Sequence, residues 1–176
     1  IRNAVEAAHA AVSWGRSSAH ARAQVLFFVA ENLEARASEF AQRIRDLTGT
    51  DGEEEVHAAI ARLMYYAGWC DKFEGVVHHA PAGRIVFAMP EPIGVLGLVC
   101  PQSHPLLGLV SMIAPAIAVG NTVVVIPSEE APLVATDFYQ VLDTSDVPAG
   151  VVNIITGSRP ELAKELSRHD NVDGLW

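Results

Sequence analysis

Apolar residues change their period once along this chain, near Pro92. Before that point they recur every three or four residues. Ala21, Val25, Phe28, Val29 and Leu33 make one stripe, Phe40, Ile44 and Leu47 a second, and Val56, Ala59, Ile60, Leu63, Met64 and Ala67 a third. Residues so spaced share one side of a helix, so the first eighty residues are expected to be helical. Thr50-x-x-Glu53 reads as a capping box for the third stripe's helix, with Glu53, Glu54 and Glu55 in its first turn facing the positive end of the dipole. His78 to Gly83 reads as a loop and Arg84 to Met89 as a short strand.

From Pro92 onward the apolar residues come in short β-branched runs: Ile93 to Val99, Thr122 to Ile126, Val151 to Ile155 and Val172 to Trp176. Helical segments lie between them and begin near Pro105, Pro132 and Pro160. Proline is tolerated in a first turn because the N–H it lacks has no intrahelical partner there. Gly120 and Asn121 are expected to end the first of these helices, and Ser158-x-x-Glu161 reads as a capping box for the third. Strands alternating with helices predict a parallel sheet. The fold class is therefore α/β, with N-terminal helices ahead of an incomplete Rossmann-like sheet. The expected divisions are a helical segment over 1–80, a connecting loop and strand over 81–90, and a partial nucleotide-binding domain over 91–176.

Composition narrows the partners. The 176 residues are half hydrophobic, enough for a sizeable core that a helical lobe and an α/β lobe could share. A net charge of -9 argues against a nucleic acid or an anionic membrane surface as partner. The longest apolar stretch, Leu106 to Val119, falls short of the ~20 residues that cross a bilayer and reads as a buried helix. Cys70 and Cys100 lack metal-ligand companions and read as reduced, buried thiols of a cytoplasmic protein. The chain opens on Ile1 rather than Met, so its native start is expected upstream, which leaves organelle targeting open.

Two segments carry a family resemblance. Glu91-Pro-Ile-Gly-Val-Leu-Gly-Leu-Val-Cys-Pro-Gln-Ser-His-Pro-Leu-Leu107, continued by Ile113-Ala-Pro-Ala-Ile-Ala-Val-Gly-Asn-Thr-Val-Val-Val-Ile-Pro-Ser-Glu129, resembles the first strand, helix and second strand of the aldehyde dehydrogenase nucleotide-binding domain. There the text runs close to E-P-x-G-V-x-G-x-I-x-P-W-N-F-P-L and I-A-P-A-L-A-x-G-N-x-V-V-x-K-P-[AS]-E. Tyr65-Tyr-Ala-Gly-Trp-Cys-Asp-Lys-Phe-Glu-Gly75 is similar to the same family. The resemblance implies an enzyme type that oxidises aldehydes to acids with NAD or NADP through a Cys nucleophile and a Glu-activated water. In that family the nucleophile, the Glu base and a Gly-x-x-x-x-Gly cofactor loop follow the fourth strand, and this chain stops inside it at Trp176.

Three positions depart from the family pattern. Ser103 stands where the family's Asn donates to the oxyanion, and losing such a donor typically costs ~10²–10³ in turnover. A turn or an N-cap before Pro105 is the preferred role for Ser103. Ile126 stands where a family Lys reaches the adenosine ribose; a lost charge-assisted hydrogen bond is worth roughly 1.5–3 kcal/mol. Glu129 matches the acid that shares that ribose, and without its Lys partner it is equally a solvated or helix-start acid. Ser128 and Pro160 fall on other cofactor-side positions of the pattern. Arg159 aligns with a family Gly, which places it near the adenine pocket or out in solvent.

The remaining candidates read as structural. Cys100 lies four residues from His104 without an orienting carboxylate, so a packed thiol is favoured over a dyad. Cys70 reads as core, His78-His79 as exposed loop histidines, and Tyr65, Tyr66, Trp69 and Phe73 as core or interface. Two functional readings result. One is a non-catalytic aldehyde-dehydrogenase-like domain of the kind found as the incomplete second domain in family 16, retained for structure or assembly. The other is the N-terminal part of an active NAD(P)-dependent enzyme. In a Rossmann strand order of 3-2-1-4 the cofactor crevice would be walled on one side only. The last strand would leave a bare edge, expected to be covered by further polypeptide of the same protein or by a homo-oligomer partner.

Overall fold

The computed structural model describes residues 1–73, 75–81 and 83–176. Four helices come first: α1 (Arg2–Ala10), then after a 3-10 turn α2 (Ala19–Ala35), α3 (Ala37–Thr48) and α4 (Gly52–Trp69). A hairpin of β1 (Val76–His79) and β2 (Ile85–Ala88) follows. The α/β part then runs β3 (Val95–Val99), α5 (Pro105–Ala118), β4 (Thr122–Ile126), α6 (Pro132–Asp143), β5 (Val152–Ile154), α7 (Arg159–Leu166) and β6 (Gly174–Leu175). The four strands β5-β4-β3-β6 form a parallel sheet, which is the expected 3-2-1-4 order.

Alternation along the central strands divides the core. Leu96, Leu98, Val123 and Val125 face α5 and α6, and behind those helices the same apolar cluster continues into α2, α3 and α4. Val95, Val124 and Ile126 face the other way, onto Val5 and Ala8 of α1 and Leu166 of α7. The helical lobe and the sheet thus share one core. Helix α5 runs through its centre and is capped by residues from outside it. At its C-terminus Asn121 N–H reaches Ala116 O and Gly120 N–H reaches Ile117 O, a Schellman closure that needs Gly120 at φ 94°. The Trp14 indole and the Arg22 guanidinium satisfy the Ile117 and Ala118 carbonyls, each at 2.9 Å.

Several local expectations are corrected. The N-cap of α4 is Asp51, whose carboxylate accepts from Glu53 N–H at 3.0 Å, while the Thr50 hydroxyl is taken by Thr48. Ser158 occupies the N-cap position of α7 but makes no side-chain cap. The buried face of α2 is Ala23, Leu26, Val29, Ala30 and Leu33, rotated from the expected stripe, because apolar residues occur nearly all round this helix. His78 and His79 lie in β1, not in a loop. Tyr65, Trp69 and Phe73 are exposed, their rings tilted against one another at 6.0 and 6.4 Å, so of the four only Tyr66 packs on the core. Of the segments expected to be regular or loop, Glu74 and Ala82 lie outside the described residues.

Candidate functional site

In an open parallel sheet, ligands bind outside the carboxyl ends of the strands. Here three loops leave that edge. The β3–α5 loop carries Cys100, Pro101, Gln102, Ser103 and His104; the β4–α6 loop carries Ser128, Glu129 and Glu130; the β5–α7 loop carries Thr156, Gly157 and Ser158. Two cavities open between them. One, of about 420 Å³, is lined by Pro127, Ser128, Glu129, Pro132 and the Thr156–Ser158 turn. The other, of about 440 Å³, lies between the starts of α4 and α5 and meets Glu54, Glu55, Ser103, His104, Leu107 and Glu130.

The start of α5 is built around a residue the sequence pattern did not single out. His104 is the N-cap, in the left-handed region at φ 55° and ψ 66°, and offers no side-chain cap. The orphan N–H groups of Leu106 and Leu107 instead donate to Glu55 Oε1, at 2.8 and 3.0 Å. Glu55 comes from α4 and is only 6% exposed. Its register gives the signal that could have found it. Glu55 sits four residues before Ala59 and eight before Leu63, on the buried stripe, where a carboxylate must find donors. Ser103 lies in the exposed turn ahead of His104, so it is neither the N-cap nor hydrogen-bonded through its hydroxyl among the described residues.

The cofactor-side positions separate. Ser128 and Glu129 line the first cavity. Ser128 is 1% exposed, and its hydroxyl lies 3.0 Å from both the main-chain and side-chain oxygens of Gln102. Gln102 Oε1 also accepts from Glu129 N–H at 2.8 Å, a contact with no cue in the pattern of the chain. The exposed Glu129 carboxylate accepts from Arg159 N–H at 3.3 Å, so it caps α7. Ile126 does not reach the cavity: it is 1% exposed and packed in the apolar cluster with Val5, Ala8 and Leu166. Pro160 is exposed on the first turn of α7, outside the cavity lining. Arg159 is half-buried, with its Nε buried and unpaired among the described residues.

Neither thiol is placed for nucleophilic work. Burial pushes Cys100 up to about 12, opposed weakly by the Arg159 charge. Burial likewise pushes Cys70 up to about 11. A thiol held so far above neutral pH is almost wholly protonated and unreactive. Among the described residues no group of His, Cys, Asp and Glu could hold a metal ion, and no helix is long and apolar enough to cross a membrane.

The parallel sheet with an acid after its second strand is common to many nucleotide-binding proteins, so the comparison across the whole chain decides its ancestry. The sequence model of the aldehyde dehydrogenase family matches residues 1–176. The chain belongs to the aldehyde dehydrogenase family. Hydroxyisobutyraldehyde dehydrogenase of Mycolicibacterium austroafricanum is 38% identical to it over 173 residues, covering 96% of this chain and 34% of that protein. The crystal structure of an NAD-dependent aldehyde dehydrogenase from Sinorhizobium meliloti is similar with a TM-score of 0.95 and 29% identity, over 99% of this chain and 36% of that one. A glyceraldehyde-3-phosphate dehydrogenase from Methanocaldococcus jannaschii, complexed with NADP, gives 0.93 and 25% over 99% of this chain and 40% of that one. This aldehyde dehydrogenase chain spans about a third of the length of the relatives it matches. Its family is one of NAD(P)-dependent oxidoreductases, and its sheet is the Rossmann-like portion of that fold.

Proposed function

We propose that this part of the protein is a non-catalytic aldehyde-dehydrogenase-like domain, similar to the incomplete second domain of the family-16 type, with a structural or assembly role. The observation that carries the reading is the placement of Ile126. It lies at the end of β4, where the family sequence has a Lys for the adenosine ribose, and here the side chain is buried between α1 and α7. The neighbouring acid, Glu129, gives one carboxylate oxygen to the start of α7. Ser103 offers a short, unanchored hydroxyl where the family has Asn. These residues do not fit a tightly held NAD or NADP.

The assembly role is supported by the hairpin. All eight residues of β1 and β2 are exposed, including Val77 at 65%, Ile85 at 70% and Phe87 at 64%. A two-stranded ribbon without a covered face is marginal in water, and apolar exposure on this scale marks a contact surface. The outer edge of β6, with Leu175 and Trp176 exposed, is a second open border. We assign both to contact with further polypeptide of the same protein or with a homo-oligomer partner.

Titration calorimetry with NAD and with NADP tests the reading. The expected result is no heat of binding below about millimolar concentration, since the missing contacts are worth one to two powers of ten each. Micromolar affinity for either cofactor overturns the proposal. It would favour the second reading, an N-terminal part of an active NAD(P)-dependent dehydrogenase. That reading draws support from the dehydrogenase names of the relatives and from the retention of Glu129 beside an open cavity.

A further inference from the structure

One hydrogen-bonded relay joins the β3–α5 loop, the β4–α6 loop and the start of α7 at the carboxyl edge of the sheet. Gln102 Oε1, on the β3–α5 loop, accepts from Glu129 N–H at 2.8 Å and lies 3.0 Å from the Ser128 hydroxyl, both on the β4–α6 loop. Glu129 Oε2 in turn accepts from Arg159 N–H at the start of α7, at 3.3 Å. The inner end of the relay is buried at Ser128, whereas Glu129 at its outer end is exposed beside the cavity. An apolar side chain in place of Gln102 would leave the Glu129 N–H without its acceptor and free the main chain on which the glutamate is mounted. The family pattern has Trp at this position, so the amide that ties the loops belongs to this chain.

We infer that Gln102 is a positioning residue: by fixing the main chain at Glu129, it holds that carboxylate over the first turn of α7, at the wall of the adjoining cavity. The clasp thus commits one oxygen of that carboxylate to α7 before any ligand enters the cavity. It keeps Glu129, the only carboxylate lining that cavity among the described residues, hydrogen-bonded to α7 through one oxygen. This deepens the non-catalytic reading given above, yet it is tested without any nucleotide, so each can fail alone.

The test is a pH titration of amide shifts in the ¹⁵N-labelled chain. The Arg159 amide proton senses ionisation of the carboxylate it donates to. Glu130, beside Glu129, and Glu161, two residues along α7, are the other carboxylates near it in sequence, so Glu129→Gln defines the part of the response that belongs to Glu129. That variant is expected to remove most of the shift change at Arg159. Gln102→Leu, which does not touch Arg159, is expected to reduce it by about half or more, as loss of one ordinary hydrogen bond shifts such a population severalfold. Gln102→Glu keeps an acceptor oxygen in the same place and should stay close to the native response. If the leucine variant does not fold, Gln102→Asn, one methylene too short to reach Glu129, gives the same reading. A native response at Arg159 in the folded leucine or asparagine variant overturns the inference, as does an unchanged response in Glu129→Gln. So does an equal loss in the glutamate and leucine variants.

Discussion

Three helices begin at the carboxyl edge of the sheet, and two of them, α5 and α7, are each capped by a glutamate from outside the helix. At α5 the cap is Glu55, 6% exposed, taking two N–H groups at 2.8 and 3.0 Å. At α7 it is Glu129, exposed, taking one at 3.3 Å. The chemistry is the same, a carboxylate against the positive end of a helix dipole, but the surroundings differ. Glu55 links α4 to the central helix of the core and is buried. Glu129 works against solvent and depends on Gln102 for its position. The start of α5 therefore belongs to the scaffold, and the start of α7 belongs to the adjustable rim of the cavity.

Removing the buried cap should give the largest effect. Glu55→Ala leaves two N–H groups unpartnered at a buried helix start and is expected to cost about 3 kcal/mol. Glu55→Gln keeps an acceptor oxygen but loses the charge, for about 1 kcal/mol. Urea denaturation followed by circular dichroism measures both, through a lower midpoint at an unchanged slope. A loss under about 1 kcal/mol for the alanine variant would erase the distinction between the two helix starts.

How much of this the sequence carries depends on whether a contact is local. The 3-2-1-4 order comes from the Rossmann-like pattern of the fold. The four strands and the helices at Pro105, Pro132 and near Pro160 are legible because β-branched runs, first-turn prolines and the Gly120 stop are local signals. The face of α2 was not, since its apolar residues are too evenly spread to choose a side. At the candidate site, Ser128 and Glu129 line one cavity, whereas Ile126 is packed in the apolar cluster and Pro160 lies outside the lining. Glu55 and Gln102 act on residues 51 and 27 positions away. No periodicity reports such a pair, although a glutamate in register with Ala59 and Leu63 was a visible anomaly. The Thr50-x-x-Glu53 pattern points to Thr50, but Asp51 is as good a cap one residue on, and only the backbone decides between them.

A cap supplied from its own helix end gives an intermediate case. Asp51 accepts from Glu53 N–H at 3.0 Å at the exposed start of α4, with Arg45 3.7 Å from its carboxylate. Asp51→Ala should cost about 1 kcal/mol in the same urea assay. Most of that belongs to the cap, because an exposed ion pair contributes little. Asp51→Asn retains the acceptor and should recover nearly all of it. An asparagine variant as unstable as alanine would show that Arg45, not the cap, is the partner that matters.

Glu129→Gln should have the smallest effect on stability, about 0.3 kcal/mol, the low end for an exposed charge at a helix start. The amide can still accept from Arg159 N–H, so only the charge–dipole part is lost. That part is screened, and raising salt from about 0.01 to 1 M shortens the Debye length from ~30 to ~3 Å. The difference between native and variant chains should therefore vanish at high salt, while the loss in Glu55→Ala should persist, since its carboxylate is buried. Matched urea curves at the two salt concentrations read this directly. If the Glu129 effect survives 1 M salt, the rim carboxylate is as shielded from water as the buried one, and the contrast between the two helix starts disappears.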